Sequence, residues 1–318
     1  MTYIHNREPA SPPPSLQPEA AGWVQTHHVT GLDLTTWSES YTVPELPEVE
    51  TIAAALRISL VGRRLVTLRH CAESLRYPLD RSALSDAATG RKILEIRRRG
   101  KYLFVVLEGA RGLLLHLGMS GSFRLSDTLC PQQHDHLIWE LDAHTYWTYR
   151  DPRRFGMVRP ISLQSDSPLP REIAVLGLEP LGSEFSGAVL MAAAGTSARP
   201  VKNVLLDQGV VAGLGNIYVN EALFRARVRP LTPAGRIARN RWDRIAAAVK
   251  EVLREALACG GTTLRDFTSL DGSEGHFALC LDAYGKEGQP CPRCGPSKTI
   301  RRIVQAGRST FYCPSCQR

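Results

Sequence analysis

Two Cys-x-x-Cys pairs, Cys291-Pro-Arg-Cys294 and Cys313-Pro-Ser-Cys316, constrain the fold of this 318-residue chain more tightly than any other feature. The two thiolates of each pair can converge on one ion, and two pairs supply the four sulfurs of a tetrahedral zinc site. Two independent redox pairs are the alternative that spacing leaves open. A disulfide framework is disfavoured, because Met1–Ala10 lacks the basic segment and apolar run of a secretory signal. Four thiolates leave no open coordination position, so the expected metal is one structural zinc ion and not a catalytic centre. Arg293, Lys298, Arg301, Arg302 and Arg308 fall in the same stretch, which predicts a basic hairpin suited to phosphates. Cys71, Cys130, Cys259 and Cys280 are scattered and show no such pattern.

The charge points the same way. The chain carries a formal +8, with a pI near 9.2, and a polyanionic partner is expected before a membrane. No apolar run approaches the eighteen or so residues of a membrane span. Residues 1–43 hold one Arg and the acids Glu8, Glu19, Asp33 and Glu39, a net of −3, so the basic character belongs to the rest. Ser11-Pro12-Pro13-Pro14-Ser15 and the lack of periodicity mark 1–43 as a disordered extension.

At Pro44 the texture changes. Val49, Ile52, Ala53, Leu56 and Leu60 fall at helical spacing, with Pro47, Glu48 and Glu50 suited to a helix N-terminus. Short strand-like segments follow at 93–97, 101–107, 113–117, 137–141 and 145–149, punctuated by glycines. They predict a β-sandwich with a flanking helix over 44–175. Residues 176–200 read as an interdomain connection. Residues 201–279 read as helical, with segments at 217–226 and 241–258 around the turn Arg229-Pro230-Leu231-Thr232-Pro233. Residues 280–318 hold the four-cysteine hairpin. The expected class is therefore α+β in two domains.

Several short motifs are weak singly. Arg97-Arg98-Arg99-Gly100-Lys101 reads as a charged turn. Gly213-Leu214-Gly215-Asn216 opens a helix, and its free N–H groups suit a phosphate. Asp151-Pro152-Arg153-Arg154-Phe155-Gly156 joins cations to an aromatic at a turn. Met119, within His116-Leu117-Gly118-Met119-Ser120-Gly121, would alone be placed in a core.

Taken in order, these motifs resemble the bacterial formamidopyrimidine-DNA glycosylase family. The resemblance begins at Pro44-Glu45-Leu46-Pro47-Glu48-Val49-Glu50-Thr51. It continues through Gly100-Lys101-Tyr102-Leu103, 116–121, His134-Asp135-His136, 151–156, Leu206-Asp207-Gln208, 213–218 and Gly260-Gly261-Thr262-Thr263-Leu264. It closes on Gly307-Arg308-Ser309-Thr310-Phe311-Tyr312-Cys313, and so spans essentially all of 44–318.

The resemblance implies a β-sandwich joined to a helix–two-turn–helix domain that ends in a zinc-finger hairpin. It implies a bifunctional DNA glycosylase and abasic-site lyase that removes 8-oxoguanine and formamidopyrimidines from duplex DNA. The N-terminal amine of Pro44 would be the nucleophile, since an α-amine, with a pKa of about 8 against about 10.4 for lysine, is far more often unprotonated at neutral pH. Glu45 would protonate the sugar ring oxygen, with Glu48 near the lesion pocket. Lys101 would assist at the lesion, and Arg308 at the later eliminations. Lys202, Asn216 and His134 would contact DNA. Met119, Arg153 and Phe155 would fill the gap left by the flipped nucleotide, Arg153 facing the orphaned cytosine. Cys291, Cys294, Cys313 and Cys316 would hold zinc. The implied partner is duplex DNA with oxidised bases or abasic sites, bound by a monomeric, cytoplasmic, nucleoid-associated bacterial protein.

Three features depart from the family pattern. Ser197 stands where some relatives carry a basic DNA contact. The lesion-capping loop near Asp271-Gly272-Ser273-Glu274-Gly275-His276-Phe277 matches in outline only. Pro44 is internal, and its nitrogen in a Val43–Pro44 peptide bond is an amide whose lone pair is delocalised. Valine is what an internal GUG codon yields, and GUG also serves as a start codon, so the expected true start is position 43, with the resulting Met removed. Two alternatives stand beside this reading: an endonuclease VIII-like enzyme of the same fold for oxidised pyrimidines, and, from another class, a non-catalytic damage binder whose Pro44 stays blocked.

Overall fold

The first helix, α1 (Leu46–Leu60), decides how the halves of the molecule meet. Val49, Ala53, Leu56 and Leu60 recur at helical spacing and are fully buried in the core of the β-sheet half. Leu46, at the same helix's start, is buried in a different core, that of the C-terminal helices. Burying each large side chain contributes about 1.5–3 kcal/mol, so α1 is anchored in both cores and its N-terminus lies at their junction. This computed structural model describes residues 44–164, 166–260 and 281–318, all in one compact unit. The readings for 1–43 and for the loop at 271–277 lie outside the described residues.

The chain then runs through β1 (Leu65–Cys71), α2 (Arg81–Ala88), β2 (Ile93–Arg99), β3 (Tyr102–Leu107), β4 (Arg111–His116), β5 (Ser122–Ser126), β6 (Asp135–Leu141), β7 (Thr145–Arg150) and β8 (Met157–Ser162). These strands form two antiparallel four-stranded sheets, ordered β1-β6-β7-β5 and β2-β3-β4-β8. Leu103 and Val105 from one sheet and Trp139 and Trp147 from the other meet in a single core. Three further strands, β1, β5 and β8, complete the sheets. β8 carries Pro160, which lacks the N–H that a ladder needs and is tolerated because the strand lies at a sheet edge.

After α3 (Arg171–Ala174) come α4 (Gly187–Ala194), α5 (Val201–Leu205), α6 (Asn216–Arg225) and α7 (Arg239–Ala258). Residues 176–200, expected as a connection, contribute Phe185, Leu190 and Ala194 to the helical core, beside Tyr218, Trp242, Val249 and Leu253. Two small hairpins, β9 (Pro290–Cys291) with β10 (Gly295–Thr299) and β11 (Arg301–Gln305) with β12 (Arg308–Tyr312), complete the chain. They share a minor core in which Phe311 and Ile300 pack with Phe224 of α6.

Candidate active site and nucleic-acid interface

Pro44 is buried immediately before α1. Two residues on, the Leu46 N–H donates to the Gly213 carbonyl at 3.0 Å, tying this segment to the loop that opens α6. Glu45 is 3 % exposed. Its Oε1 accepts the Ile217 N–H at 2.9 Å and its Oε2 the Tyr218 N–H at 3.5 Å. The free N–H groups at the start of α6, read as a phosphate site, are therefore taken by the protein's own carboxylate. The glycines serve that approach: a Cβ on Gly215 would lie 2.2 Å from Glu45 Cδ, and one on Gly213 2.9 Å from Leu46 Cβ.

Opposing influences meet at Glu45. Burial raises its pKa, the Lys101 charge lowers it, the Glu48 charge raises it, and the two N–H donors lower it. Burial wins, and the carboxyl is pushed up to about 7. A carboxyl raised this far holds a proton up to near neutrality, a state suited to giving one up. Glu48, also buried, accepts the Glu45 N–H at 3.0 Å and the Tyr218 hydroxyl.

Lys101 lies in the β2–β3 turn. Burial lowers its ammonium pKa, against the attraction of Glu45 and Glu48, and Arg308 lowers it further. The turn is clamped by Glu179, which accepts the Gly100 N–H at 2.6 Å, Arg98 at 3.0 Å and Arg99 at 3.0 Å. Arg98 also meets Glu50 of α1 at 2.6 Å. A Cβ on Gly100 would sit 3.4 Å from the Gly213 nitrogen, so this turn leans on the same loop that Leu46 binds.

Arg308, exposed at the start of β12, enters through the zinc hairpin. Lys202, read as a direct DNA contact, is fully buried and donates to the Ser309 carbonyl at 2.8 Å and Thr310 Oγ1 at 2.6 Å. Its donors hold the strand that carries Arg308. Burial, then the Arg308 charge, pushes Lys202 down to about 7, while Glu45 pulls upward. Asn216 Nδ2 donates to the same Ser309 carbonyl at 3.1 Å. Asn220, fully buried, accepts the Phe311 N–H at 2.8 Å and fixes β12 against α6. No motif had singled out Asn220, whose effect depends on burial.

A second cluster gathers Met119, His134, Arg153 and Phe155. Tyr102, next to Lys101, pairs with His116 across β3 and β4, their rings 4.8 Å apart. The turn that carries Met119 leaves β4 beside the Lys101 turn. His116 is pushed down to about 3 by burial and by the Arg76 and Lys101 charges. It is therefore neutral, and its Nδ1 accepts the Gly118 N–H at 3.0 Å. Arg153 and Phe155 are exposed, with the guanidinium 5.1 Å from the ring centroid. Met119 and His134 are half-buried, and His134 adopts φ 74°.

The four C-terminal sulfurs lie within 4.8 Å of one another. Cys291 and Cys316 Sγ are 3.9 Å apart, and Cys294 and Cys313 Sγ 3.8 Å. Tetrahedral coordination with Zn–S bonds of about 2.3 Å requires S···S edges of about 3.8 Å. The donor set fits a structural zinc and closes the redox alternative.

Three family models match consecutive segments: the formamidopyrimidine-DNA glycosylase N-terminal domain over 43–158, the H2TH domain of formamidopyrimidine-DNA glycosylase over 176–268, and the zinc finger found in FPG and IleRS over 288–318. The chain is 48% identical over 277 residues to the formamidopyrimidine-DNA glycosylase of Halorhodospira halophila, covering 87% of this chain and 100% of the relative. Against the enzyme of Ruegeria pomeroyi it is 43% identical over 285 residues, again 87% and 100%. Among solved structures it is similar to the MutM (Fpg) protein of Thermus thermophilus, with TM-score 0.75, 41% identity and 86% and 98% coverage. It is also similar to Lactococcus lactis Fpg in complex with abasic-site DNA, with TM-score 0.78, 34% identity and 86% and 99% coverage.

Proposed function

Because this chain belongs to the formamidopyrimidine-DNA glycosylase family, we propose that Pro44, with its nitrogen freed, is the nucleophile of a DNA glycosylase for oxidised purines that also cleaves abasic sites. The observation that carries this reading is the environment of Glu45. A buried carboxyl poised near pH 7 stands next to the candidate amine and within the field of Lys101.

The chemistry follows from these groups. The secondary amine of Pro44 attacks C1′ of the damaged nucleotide while protonated Glu45 gives its proton to the ring oxygen, which opens as an alcohol. The base departs with its bonding electron pair and takes up a proton, leaving an iminium at C1′. The iminium withdraws electrons from C2′, so loss of that proton expels the 3′ phosphate. A second elimination expels the 5′ phosphate. Lys101, its ammonium disfavoured by burial, is placed to exchange protons at the lesion. Arg308 meets the phosphates, held in position by Lys202 and Asn216 through Ser309. Zinc takes no chemical part and pins the hairpin. Met119, Arg153 and Phe155 occupy the gap after flipping, with His134 on the backbone.

The Val43–Pro44 amide cannot form the iminium, so the catalytic form is the chain that begins at Pro44. One chain carries every residue named, which favours a monomer, and its substrate places its work at the bacterial nucleoid in the cytoplasm. Incubation of the 44–318 form with duplexes carrying 8-oxoguanine opposite cytosine, or thymine glycol, tests the reading. Preferential cutting at 8-oxoguanine, with phosphate on both ends of the gap, is expected. Preference for thymine glycol would overturn the purine assignment.

A further inference from the structure

Asp151 is fully buried, and its side chain and backbone bind all three segments that carry the duplex-facing residues. Its Oδ1 accepts the Ser120 hydroxyl at 2.6 Å, and its Oδ2 the Gly156 N–H at 2.7 Å. Its own N–H donates to the His134 carbonyl at 3.0 Å. The Ser120 oxygen accepts the Arg153 N–H at 3.2 Å. Hydrogen bonds therefore run from the Arg153 backbone through the Ser120 hydroxyl to the Asp151 carboxylate.

The Met119 turn and the Arg153–Phe155 turn pack closely around the Tyr149 hydroxyl, which would lie 1.8 Å from a Cβ on Gly156 and 2.4 Å from one on Gly121. A Cβ on Gly118 (φ +64°) would lie 2.4 Å from the Phe155 carbonyl carbon, and one on Gly156 3.0 Å from the His116 carbonyl oxygen. The two backbones meet at Gly118 and Phe155, and two buried hydroxyls link the turns: that of Ser120, bonded to Asp151 and the Arg153 N–H, and that of Tyr149, which donates to the His116 carbonyl at 3.5 Å.

We propose that Ser120 and Asp151 are positioning residues that make Met119, Arg153 and Phe155 enter DNA as one wedge, so that lesion extrusion and reading of the orphaned base are a single event. The inference rests on the glycosylase reading above. If the turns moved separately, Met119 could fill the gap before Arg153 had tested the opposite base. Joined through a buried charge-assisted hydrogen bond, neither can enter alone.

The test uses zinc-loaded 44–318 and its Ser120→Ala variant, which removes one hydroxyl. A duplex with 2-aminopurine beside the 8-oxoguanine reports wedge insertion by stopped-flow fluorescence. Losing a hydrogen bond to a charged group is expected to slow insertion about tenfold, and the preference for cytosine over adenine opposite the lesion should narrow. Borohydride trapping on a single-stranded abasic oligonucleotide, which has no opposite base to read, should stay at the parent level. Asp151→Asn, which keeps one acceptor oxygen, is expected to fall between parent and Ser120→Ala; should it not fold, Ser120→Ala alone decides. Unchanged insertion and opposite-base preference in Ser120→Ala would overturn the inference. So would an equal loss on duplex and single strand, which a merely structural role would give. An unsubstituted protein that fails to trap abasic DNA would instead overturn the glycosylase–lyase reading, and the wedge with it.

Discussion

The Glu45 carboxylate accepts the Ile217 N–H at 2.9 Å, so a residue at the start of the first helix closes the N-terminus of another helix 172 positions away. A helix N-terminus favours a carboxylate's charged form, yet burial outweighs it and raises the group to about 7. The contact thus fixes the carboxyl of the residue next to Pro44 without locking it in the ionised state.

Glu45→Gln removes the proton donor while keeping the shape. Base excision from 8-oxoguanine duplexes is expected to fall by at least about a hundredfold, the scale of general acid catalysis. An abasic site has no base to expel and can open to the aldehyde unaided, so its cleavage should survive within a few fold. Single-turnover rates on the two substrates check this, and parallel loss on both would contradict it.

The same group makes stability depend on pH. Its folded-state pKa of about 7 lies above the ordinary 4.5, so protonated Glu45 stabilises the fold. That contribution is complete below pH 4.5 and is lost as pH rises through about 7. Thermal melts of parent and Glu45→Gln should accordingly diverge between about pH 5 and about pH 8, with the variant gaining on the parent as pH rises. A constant difference would show that Glu45 does not titrate there.

Gly215→Ala places a methyl group 2.2 Å from Glu45 Cδ, and neither the helix start nor the carboxylate can move freely. A destabilisation of about 1–3 kcal/mol is expected. Excision measured well below the melting temperature should fall more than abasic cleavage does. Denaturant melts and the two rate assays give both quantities.

Glu179 ties the Lys101 turn to its surroundings through Arg98, Arg99 and the Gly100 N–H. Its side chain is 26% exposed, so solvent screens part of the interaction. Glu179→Gln is expected to cost about 1–3 kcal/mol and to lower excision by loosening Lys101. Chemical denaturation and single-turnover kinetics measure these effects, and wild-type values for both would remove Glu179 from the account.

Much of this was legible in the sequence because local pattern and tertiary demand coincide. The spacing of Val49, Ala53, Leu56 and Leu60 is at once a helical period and a core face, and the four cysteines impose one geometry. The Gly213–Asn216 loop was misread for a physical reason: a helix N-terminus attracts an anion, but sequence does not say whose. Here the anion is Glu45, brought in by the fold. The burial of Lys202 was not legible because it depends on what covers the side chain, and its cover is the hairpin strand over a hundred residues on. Ser120 and Asp151 stood inside recognised motifs, yet their role appears only when two distant turns meet.

The central claim is that Pro44 acts through a free nitrogen, and borohydride trapping on abasic duplex DNA tests it most directly with the 1–318 and 44–318 forms side by side. The account expects a covalent protein–DNA adduct at Pro44 from 44–318 and none from intact 1–318, whose nitrogen is an amide. An equal adduct from intact 1–318, or no adduct from 44–318, would contradict it.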